Sequence, residues 1–473
     1  MSSRFSGRCA NVSSLQTSQA WAMTNFGACD LGDARRTQRA VQVAVRMADH
    51  PGGSSPQQMT DWAELKACYR FFHNPAVTFD ALARPHWEQT CAAAKGRVLI
   101  LNDTTTISYK ARREVKGFTR GGKGMPYGFQ LHNALMVDAD NGAVLGLARQ
   151  ELFYRIPAPK KENRRQMARR PRETDVWGRI IDAIGVPADG VEYIHVCDRG
   201  ADTLEVFCHL QQQRCQWVIR CSHLNRDVQA VVSGELASAT SVERVIASQP
   251  LGGTTSLSLR ARPGQPARTA TLEVRVVEVS IPQPRHRTPY LRERDFRGLR
   301  QTLVELREVA PPRGVAPLRW VLWTSLPVTN LDVALAIAKI YEQRWLIEEL
   351  HKAMKTGCQL EDRQYESAHC LEGVAGMTSV LAVRLLALKQ LARSAPQTPA
   401  ADAVPREWLR MLETLRQRPL PTVRDFIRHL AALGGFLMRK GDGEPGWITL
   451  WRGTQKLTTA LQTQAAIKRK CGS

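Results

Sequence analysis

Three acidic residues, far apart in the sequence, have the types and local settings of a metal centre. Asp103 follows the apolar run "VLILN", Asp198 follows "YIHVC", and Glu348 lies in the helix-patterned segment "YEQRWLIEELHKAMKTG". Taken singly, the aspartates could be turn or cap residues, and the glutamate could form surface ion pairs with Arg344 and Lys352. Brought together without a metal, three carboxylates would raise each other's pKa. Divalent hard cations such as Mg²⁺ remove that cost, and two of them about 3.5–4 Å apart support phosphodiester displacement.

The segment that carries Glu348 has one face unlike a normal core face. Tyr341, Arg344, Lys352 and Lys355 share a helical stripe with that glutamate, at positions i, i+3, i+7, i+11 and i+14. The stripe combines an aromatic ring, three cations and a single carboxylate. Cations of this kind pair with phosphates, so the face is suited to a nucleic-acid backbone.

The composition also favours a polyanionic partner. The 473-residue chain carries 66 Lys and Arg against 44 Asp and Glu, for a net charge of +22. Such an excess causes self-repulsion unless a polyanion uses it, so nucleic acid is expected; a membrane-surface protein or a merely basic enzyme is the alternative. We find no basic amphipathic anchor, no run of ~18 apolar residues and no signal-peptide pattern at the start. We therefore expect a soluble cytoplasmic protein that contacts no membrane.

The elements that must position these side chains alternate between strand and helix patterns. The strand patterns are "RVLILNDTTTISY", "LHNALMVD", "AVLGLARQELF", "VEYIHVCD", "CQWVIRCSHL" and "RWVLWTSLPV". Short links make the first three antiparallel neighbours, and both aspartates are expected at strand ends on one sheet edge. "VWGRIIDAIG" predicts a helix, residues 236–310 are rich in β patterning, and one continuous helix is expected from near Asn330 to Gly357.

Both ends of the chain have helical patterns. Residues 21–80 include a helix that Asp33 could cap, and its first turns carry Arg35, Arg36 and Arg39. A solvated face explains any one of these arginines, but three together in a basic chain favour phosphate contacts. The C-terminal tail has helical patterns interrupted by the Pro- and Ala-rich "SAPQTPAADAVP", which predicts a linker. The basic segment 159–172 predicts a loop.

Several of these motifs together resemble the DDE transposases of bacterial insertion sequences. The matching stretches include "LGDARRTQR", "NDTTTISY", "VCDRGAD", "RWLIEELHKAMKTG" and "LGGFLMRK", in the same order along nearly the whole chain. The spacing Tyr341-x2-Arg344-x3-Glu348-x6-Lys355 is similar to the Tyr-Arg-Glu-Lys signature of the cut-and-paste branch. The chain differs from that branch at Ser222, where a basic residue is usual.

The resemblance implies an α/β fold with a ribonuclease-H-like mixed-sheet catalytic core and a β-rich insertion at about 236–310. It implies three domains: a helical DNA-binding domain (1–80), the catalytic domain (81–385) and a helical dimerisation domain (386–473). It also implies a bacterial protein that is associated with the nucleoid when bound to DNA.

The same resemblance implies roles for individual residues. Asp103, Asp198 and Glu348 would be the catalytic residues and the ligands of Mg²⁺, for which Mn²⁺ would substitute. The partners would be double-stranded DNA, both terminal inverted repeats and target, and a second copy of the chain in a synaptic complex. The DNA-contacting residues would be Tyr341, Arg344, Lys352, Lys355, Arg220, Trp320, Arg35, Arg36 and Arg39. A metal-dependent nuclease of the same fold and a non-catalytic DNA-binding regulator are the alternatives to a transposase.

Overall fold

The computed structural model describes residues 15–110, 114–118, 127–156, 172–259 and 266–471, together with a few isolated residues between 157 and 171. Half of the basic segment 159–172 therefore lies outside the described residues. The strands are β1 (Gly96–Ser108), β2 (Gly128–Asp138), β3 (Val144–Phe153), β4 (Val191–Cys197), β5 (Gln216–Arg220), β6 (Asp227–Val232), β7 (Glu235–Leu236), β8 (Thr240–Ser241), β9 (Gly253–Leu259), β10 (Arg268–Pro282), β11 (Gly298–Val309) and β12 (Arg319–Thr324).

The helices lie before, between and after these strands. The N-terminal helices are α1 (Ser18–Phe26), α2 (Ala34–Asp49), α3 (Ser55–Gln58), α4 (Trp62–His73) and α5 (Phe79–Ala92). The central helices are α6 (Asp175–Ile184), α7 (Leu204–Gln212), α8 (Val242–Ala247), α9 (Pro289–Glu293), α10 (Leu331–Glu342), α11 (Trp345–Lys352) and α12 (Ala368–Ser394). The C-terminal helices are α13 (Ala400–Ala403), α14 (Arg406–Arg416), α15 (Val423–Leu433) and α16 (Trp447–Cys471). Short 3₁₀ turns occupy Arg199–Ala201 and Leu360–Asp362, and a π turn occupies Ala353–Gly357.

All the described strands join one mixed sheet. Its order is β3-β2-β1-β4-β5-β12-β11-β10-β6-β7, with β8 beside β6 and β9 beside β10. The β1–β4 and β4–β5 pairs are parallel, and β1, β2 and β3 are antiparallel neighbours as predicted. The β-rich insertion supplies the far half of the sheet and joins the core through the antiparallel β5–β12 pair. It is therefore an extension of the catalytic sheet.

The position of Asp103 differs from the prediction, because the strand does not end there. β1 continues to Ser108, where it is still paired with Gly128 of β2. Its parallel pairing with β4 ends earlier, at Asn102 opposite Cys197. Asp103 is thus the first residue beyond the parallel ladder, inside a strand that only β2 still supports.

The long helix predicted from Asn330 to Gly357 is not continuous. Asn330 caps its start, with the side chain accepting a hydrogen bond from the Val333 amide at 3.0 Å. The α-helical pattern stops at Gln343 and Arg344, where the bonds tighten to i−3 partners; for example, the Arg344 amide donates to the Tyr341 carbonyl at 3.0 Å. The segment is therefore two helices, α10 and α11, with a tight turn between them.

Helix α12 is a buried core element with membrane-like composition. Its 27 residues are long and apolar enough to cross a membrane by length and composition, although Glu372, Arg384 and Lys389 interrupt the apolar run. In the structure 83% of its most apolar window is buried, against α5, β3 and α15 among others. A helix surrounded by protein on nearly all sides must be apolar all round, which explains the composition.

The flanking regions are helical, as predicted. Asp33 caps α2 by accepting from the Arg35 amide at 2.8 Å. The predicted linker is instead a packed connection: it contains α13, and Pro399 bridges to Thr422 at the start of α15. Its buried alanines join the apolar core of the C-terminal helices, because the alanines that suggest a linker also fit a close helix contact.

Candidate active site

The parallel strands place two of the predicted carboxylates side by side. Asp103 lies one residue beyond the β1–β4 ladder, and Asp198 directly follows β4. The Oδ1 atom of Asp198 accepts from the Gly200 amide at 2.8 Å, which holds the side chain at the start of a 3₁₀ turn. The carboxyl ends of parallel strands commonly form a site of this kind.

Helix α11 brings the third carboxylate over the same sheet edge. Arg344 connects the two elements: its Nη1 donates to Oδ2 of Asp103 at 3.0 Å and its Nη2 donates to Oε1 of Glu348 at 3.2 Å. The guanidinium thus lies between two of the acids as their shared counter-ion.

One arginine does not balance the negative charge at Asp103. Burial, together with the nearby Asp198 and Glu348, raises the pKa of Asp103 to about 7, because Arg344 and the Thr104 amide only partly oppose them. The side chain is 15% exposed, whereas that of Glu348 is 39% exposed and can meet a ligand from solvent. An additional cation at this site would therefore be strongly favoured.

A histidine that the sequence analysis missed lies in the same cluster. Oxygen atoms of Asp103 and Glu348 and a ring nitrogen of His351 all lie within 4.8 Å of one another. Burial, with smaller contributions from Lys355 and Arg344, lowers the pKa of His351 to about 3. Its position three residues after Glu348, on the same helix face, was the signal that could have identified it.

Three family models match successive parts of the chain. A transposase DNA-binding model matches residues 18–77, a transposase DDE domain matches 94–372, and a transposase Tn5 dimerisation domain matches 380–470. The DDE model alone covers more than half of the 473 residues. The chain belongs to the DDE transposases. Its fold is accordingly the ribonuclease-H-like one, and its DNA-binding and dimerisation regions indicate DNA as a partner and a homodimer as the assembly.

A divalent metal ion, which the chemistry of a DDE transposase requires, fits this donor set. Carboxylate oxygens are the ligands that hard divalent cations prefer, and here they crowd around a site whose charge Arg344 leaves unbalanced. Asp103 and Glu348, with Asp198 beside them, could hold such an ion in the transposase, and His351 lies close enough to be considered with them.

A second cluster lies beside the carboxylates. The rings of Trp320 and Tyr341 meet edge to face with centroids 5.3 Å apart. Tyr341 is buried, which raises the pKa of its phenol, while Arg344 and a hydrogen bond with Arg220 lower it. Arg220 also donates to the Arg319 carbonyl at 3.3 Å. The structure therefore brings Trp320, Tyr341, Arg220 and Arg344 of the transposase into one continuous group.

The two lysines of the predicted stripe follow Glu348 in the chain, at the end of α11 and in the π turn after it. Lys352 ends α11 and is exposed; Lys355 lies in the π turn, with its Nζ 3.9 Å from Oε1 of Glu361. The tight turn between α10 and α11 and the π turn after α11 mean that the stripe does not follow one straight helix. Its members are instead spread over α10, α11 and these two turns.

The predicted arginines of the DNA-binding region begin helix α2. Arg35 is exposed, Arg36 donates to the Leu31 carbonyl, and Arg39 is partly exposed. In the described part of the chain none of the three has a carboxylate partner, so their charges are available to phosphates. Among the residues that the structure describes, no hydrogen bond or ion pair joins them to the carboxylate site.

Proposed function

We propose that this transposase moves its DNA element by cut and paste and belongs to the branch with the Tyr-Arg-Glu-Lys signature. The observation that supports this best is Arg344, which hydrogen bonds both Asp103 and Glu348. A simple nuclease needs the carboxylates but has no need of a cation and an aromatic cluster attached to them. In a transposase the same arginine can hold a DNA phosphate beside the reacting bond.

The proposed reaction has three kinds of step. Water attacks the phosphodiester at each element end, which leaves a 3′-hydroxyl on the element. That hydroxyl attacks the opposite strand, joins the two strands in a hairpin and releases the flanking DNA. After water reopens the hairpin, the 3′-hydroxyl attacks the target DNA.

In this proposal Asp103, Asp198 and Glu348 hold Mg²⁺, for which Mn²⁺ would substitute. When bound, such ions activate the attacking oxygen and stabilise the leaving one. The unbalanced charge at Asp103 supports the assignment, since the group that neutralises it can be the ion.

The remaining site residues would hold the DNA end. Arg344, Lys352, Lys355 and Arg220 would pair with phosphates. Trp320 would stack on a base turned out of the helix, because a hairpin requires one nucleotide to leave the stack. Tyr341 would orient Trp320 and Arg220, which it already contacts.

We also propose a role for each of the three domains. Residues 1–80 would bind the inverted repeats through Arg35, Arg36 and Arg39. Residues 81–385 would catalyse, and residues 386–473 would hold two copies in a synaptic complex that also receives target DNA. The cellular site would be the bacterial cytoplasm, on the nucleoid.

A cleavage assay tests the proposal. DNA carrying the inverted repeats that flank the gene is incubated with Mg²⁺ and either the wild-type protein or Asp103→Asn, which preserves the side-chain shape. We expect hairpin-ended product from the wild type and none from the variant. Nicks without hairpins would favour the nuclease, and binding without cutting by either protein would favour a regulator.

A further inference from the structure

A buried chain of hydrogen bonds leads from the active-site helix into the protein. Nε1 of Trp87 donates to Oε1 of Gln150 at 3.2 Å, and Nε2 of Gln150 donates to Oδ1 of Asn133 at 2.6 Å. Nδ2 of Asn133 lies 3.2 Å from Nε2 of His351. We call these four side chains the relay. All are buried, and the first two also anchor it to α5 and β3.

The direction of every bond in the relay is determined by its first member. An indole N–H can only donate, so the oxygen of Gln150 must face Trp87 and its amide nitrogen must face Asn133. The nitrogen of Asn133 is identified a second time, because it also donates to the Leu131 carbonyl at 3.2 Å. Nε2 of His351 must therefore accept a hydrogen bond, which places the ring proton on Nδ1.

The relay ends directly beside the metal-binding carboxylates. Asp103 and Asn133 are opposite one another on β1 and β2, so their side chains share one face of the sheet. Glu348 and His351 are three residues apart on α11 and share one face of that helix. The Asn133–His351 bond thus spans the same gap between sheet and helix as the proposed metal site. It lies one strand away from Asp103 and one helical turn away from Glu348.

We propose that His351 is a positioning residue and not a metal ligand. Its Nε2 lone pair is used by Asn133, and this bond sets the rotation and height of α11 over the sheet, and so the separation of Glu348 from Asp103. The relay makes that setting rigid, since each amide has one permitted orientation. The inference rests on the proposed assignment of these two acids as ligands.

The tautomer of His351 gives the first test, and it needs neither DNA nor activity. Protein labelled with ¹⁵N-histidine is studied by long-range ¹H–¹⁵N correlation, and His351→Gln identifies the resonances. We expect the wild-type proton on Nδ1. A proton on Nε2 would overturn the proposal.

Gln150→Glu gives the matched perturbation. An ionised carboxylate accepts from both Trp87 and Asn133. At a pH where it is ionised, the Asn133 amide turns its oxygen toward His351 and gives up its bond to the Leu131 carbonyl, so the imidazole proton moves to Nε2. The control is Gln130→Glu, a buried position on β2 that contacts Thr106 and not the relay. The tautomer should change in the first variant only; the same tautomer in both would contradict the relay.

Metal binding to DNA-free, tag-free protein completes the test. Pulsed EPR of bound Mn²⁺ should show no directly coordinated histidine nitrogen, and a nitrogen coupling lost in His351→Gln would overturn the proposal. Gln150→Glu should weaken Mn²⁺ binding by roughly 10-fold, the scale on which groups behind metal ligands act. Unchanged affinity would also overturn it. A failed cleavage assay would leave these readouts interpretable, so the two proposals can fail separately.

Discussion

Two aspartates near the same sheet edge, the fully buried Asp202 and the partly buried Asp103, have opposite surroundings. Asp202, four residues after Asp198, accepts hydrogen bonds from the Ser222 and His223 amides at 2.7 and 3.1 Å and from Arg226 at 2.5 Å. Burial raises the pKa of Asp202, but Arg226 and these amides outweigh it, so the net pKa is lowered. Asp103 has one arginine and two neighbouring acids, and its pKa is raised to about 7.

The difference separates two uses of a buried carboxylate. The fully paired Asp202 ties the loop after β4 to the segment after β5, and therefore contributes to stability. The underpaired Asp103 costs stability, and its unbalanced charge is one that a bound cation would neutralise. Three substitutions at these carboxylates and their partners should distinguish the two uses, and a fourth tests an arginine that has no carboxylate partner among the described residues.

Removing the partner of Asp202 should have the largest effect. Arg226→Ala leaves a fully buried carboxylate uncompensated, which should lower the free energy of unfolding by about 3–5 kcal/mol. Urea denaturation measures the change. The control is Arg297→Ala, whose ion pair with Asp295 is exposed and whose loss should leave the urea midpoint unchanged. Equal effects would mean that Asp202 contributes no more than a surface pair.

Neutralising Asp103 should stabilise the metal-free protein at high pH. Its folded pKa of about 7 exceeds the ordinary value, so wild-type stability falls as pH rises from about 4 to 7. Asp103→Asn escapes this loss and should be more stable by roughly 1–3 kcal/mol at pH 8, with a smaller gain at pH 5. Thermal unfolding in EDTA measures both. Asp202→Asn should lose stability at pH 8; a loss in Asp103→Asn would reverse the contrast.

Removing the shared counter-ion should increase the response to metal. In Arg344→Ala the repulsion between Asp103 and Glu348 is unrelieved, so saturating Mg²⁺ should stabilise the variant by about 1 kcal/mol more than the wild type. The shift in melting temperature with Mg²⁺ reports this. Lys355→Ala, which alters the same segment outside the carboxylates, should respond like the wild type. A weaker metal response in Arg344→Ala would show that the guanidinium supports the ion.

The smallest change concerns a cation with no carboxylate partner in the described structure. Arg35→Ala should reduce the slope of log affinity against log salt by about one for non-specific duplex DNA. Fluorescence anisotropy across a salt series measures the slope. Arg297→Ala, which removes an arginine already paired with Asp295, should change it less. An unchanged slope in Arg35→Ala would mean that the start of α2 does not meet phosphate.

The sequence predicted what local patterns determine. Short apolar runs identified the strands of the catalytic core. Asp33 was predicted as a helix cap and a helix start was predicted near Asn330, because the start of a helix involves only near neighbours. The adjacency of Asp103 and Asp198 follows from two strands whose apolar runs end in an acid. Glu348 was a candidate from its place on the charged helical stripe, and the resemblance to a known family joined it to the two aspartates.

Features that depend on distant partners were missed. β1 passes Asp103 because Gly128 and its neighbours on β2 continue the ladder, and no local signal marks that extension. The break at Arg344 accompanies its bonds to two acids, one of them 241 residues away in sequence. The role proposed for His351 depends on Asn133, which resembles any buried strand residue until the sheet is assembled.

The placement of Glu348 beyond the insertion also determines when the three acids are synthesised relative to one another during translation. It follows Asp103 by 245 residues, and translation proceeds at about 5–20 residues per second, so the last acid emerges roughly 10–50 s after the first. β12, which joins the insertion to the core, is made shortly before it. If the three acids act together as proposed, a nascent chain holds the N-terminal helices and two of the acids before it can cut DNA.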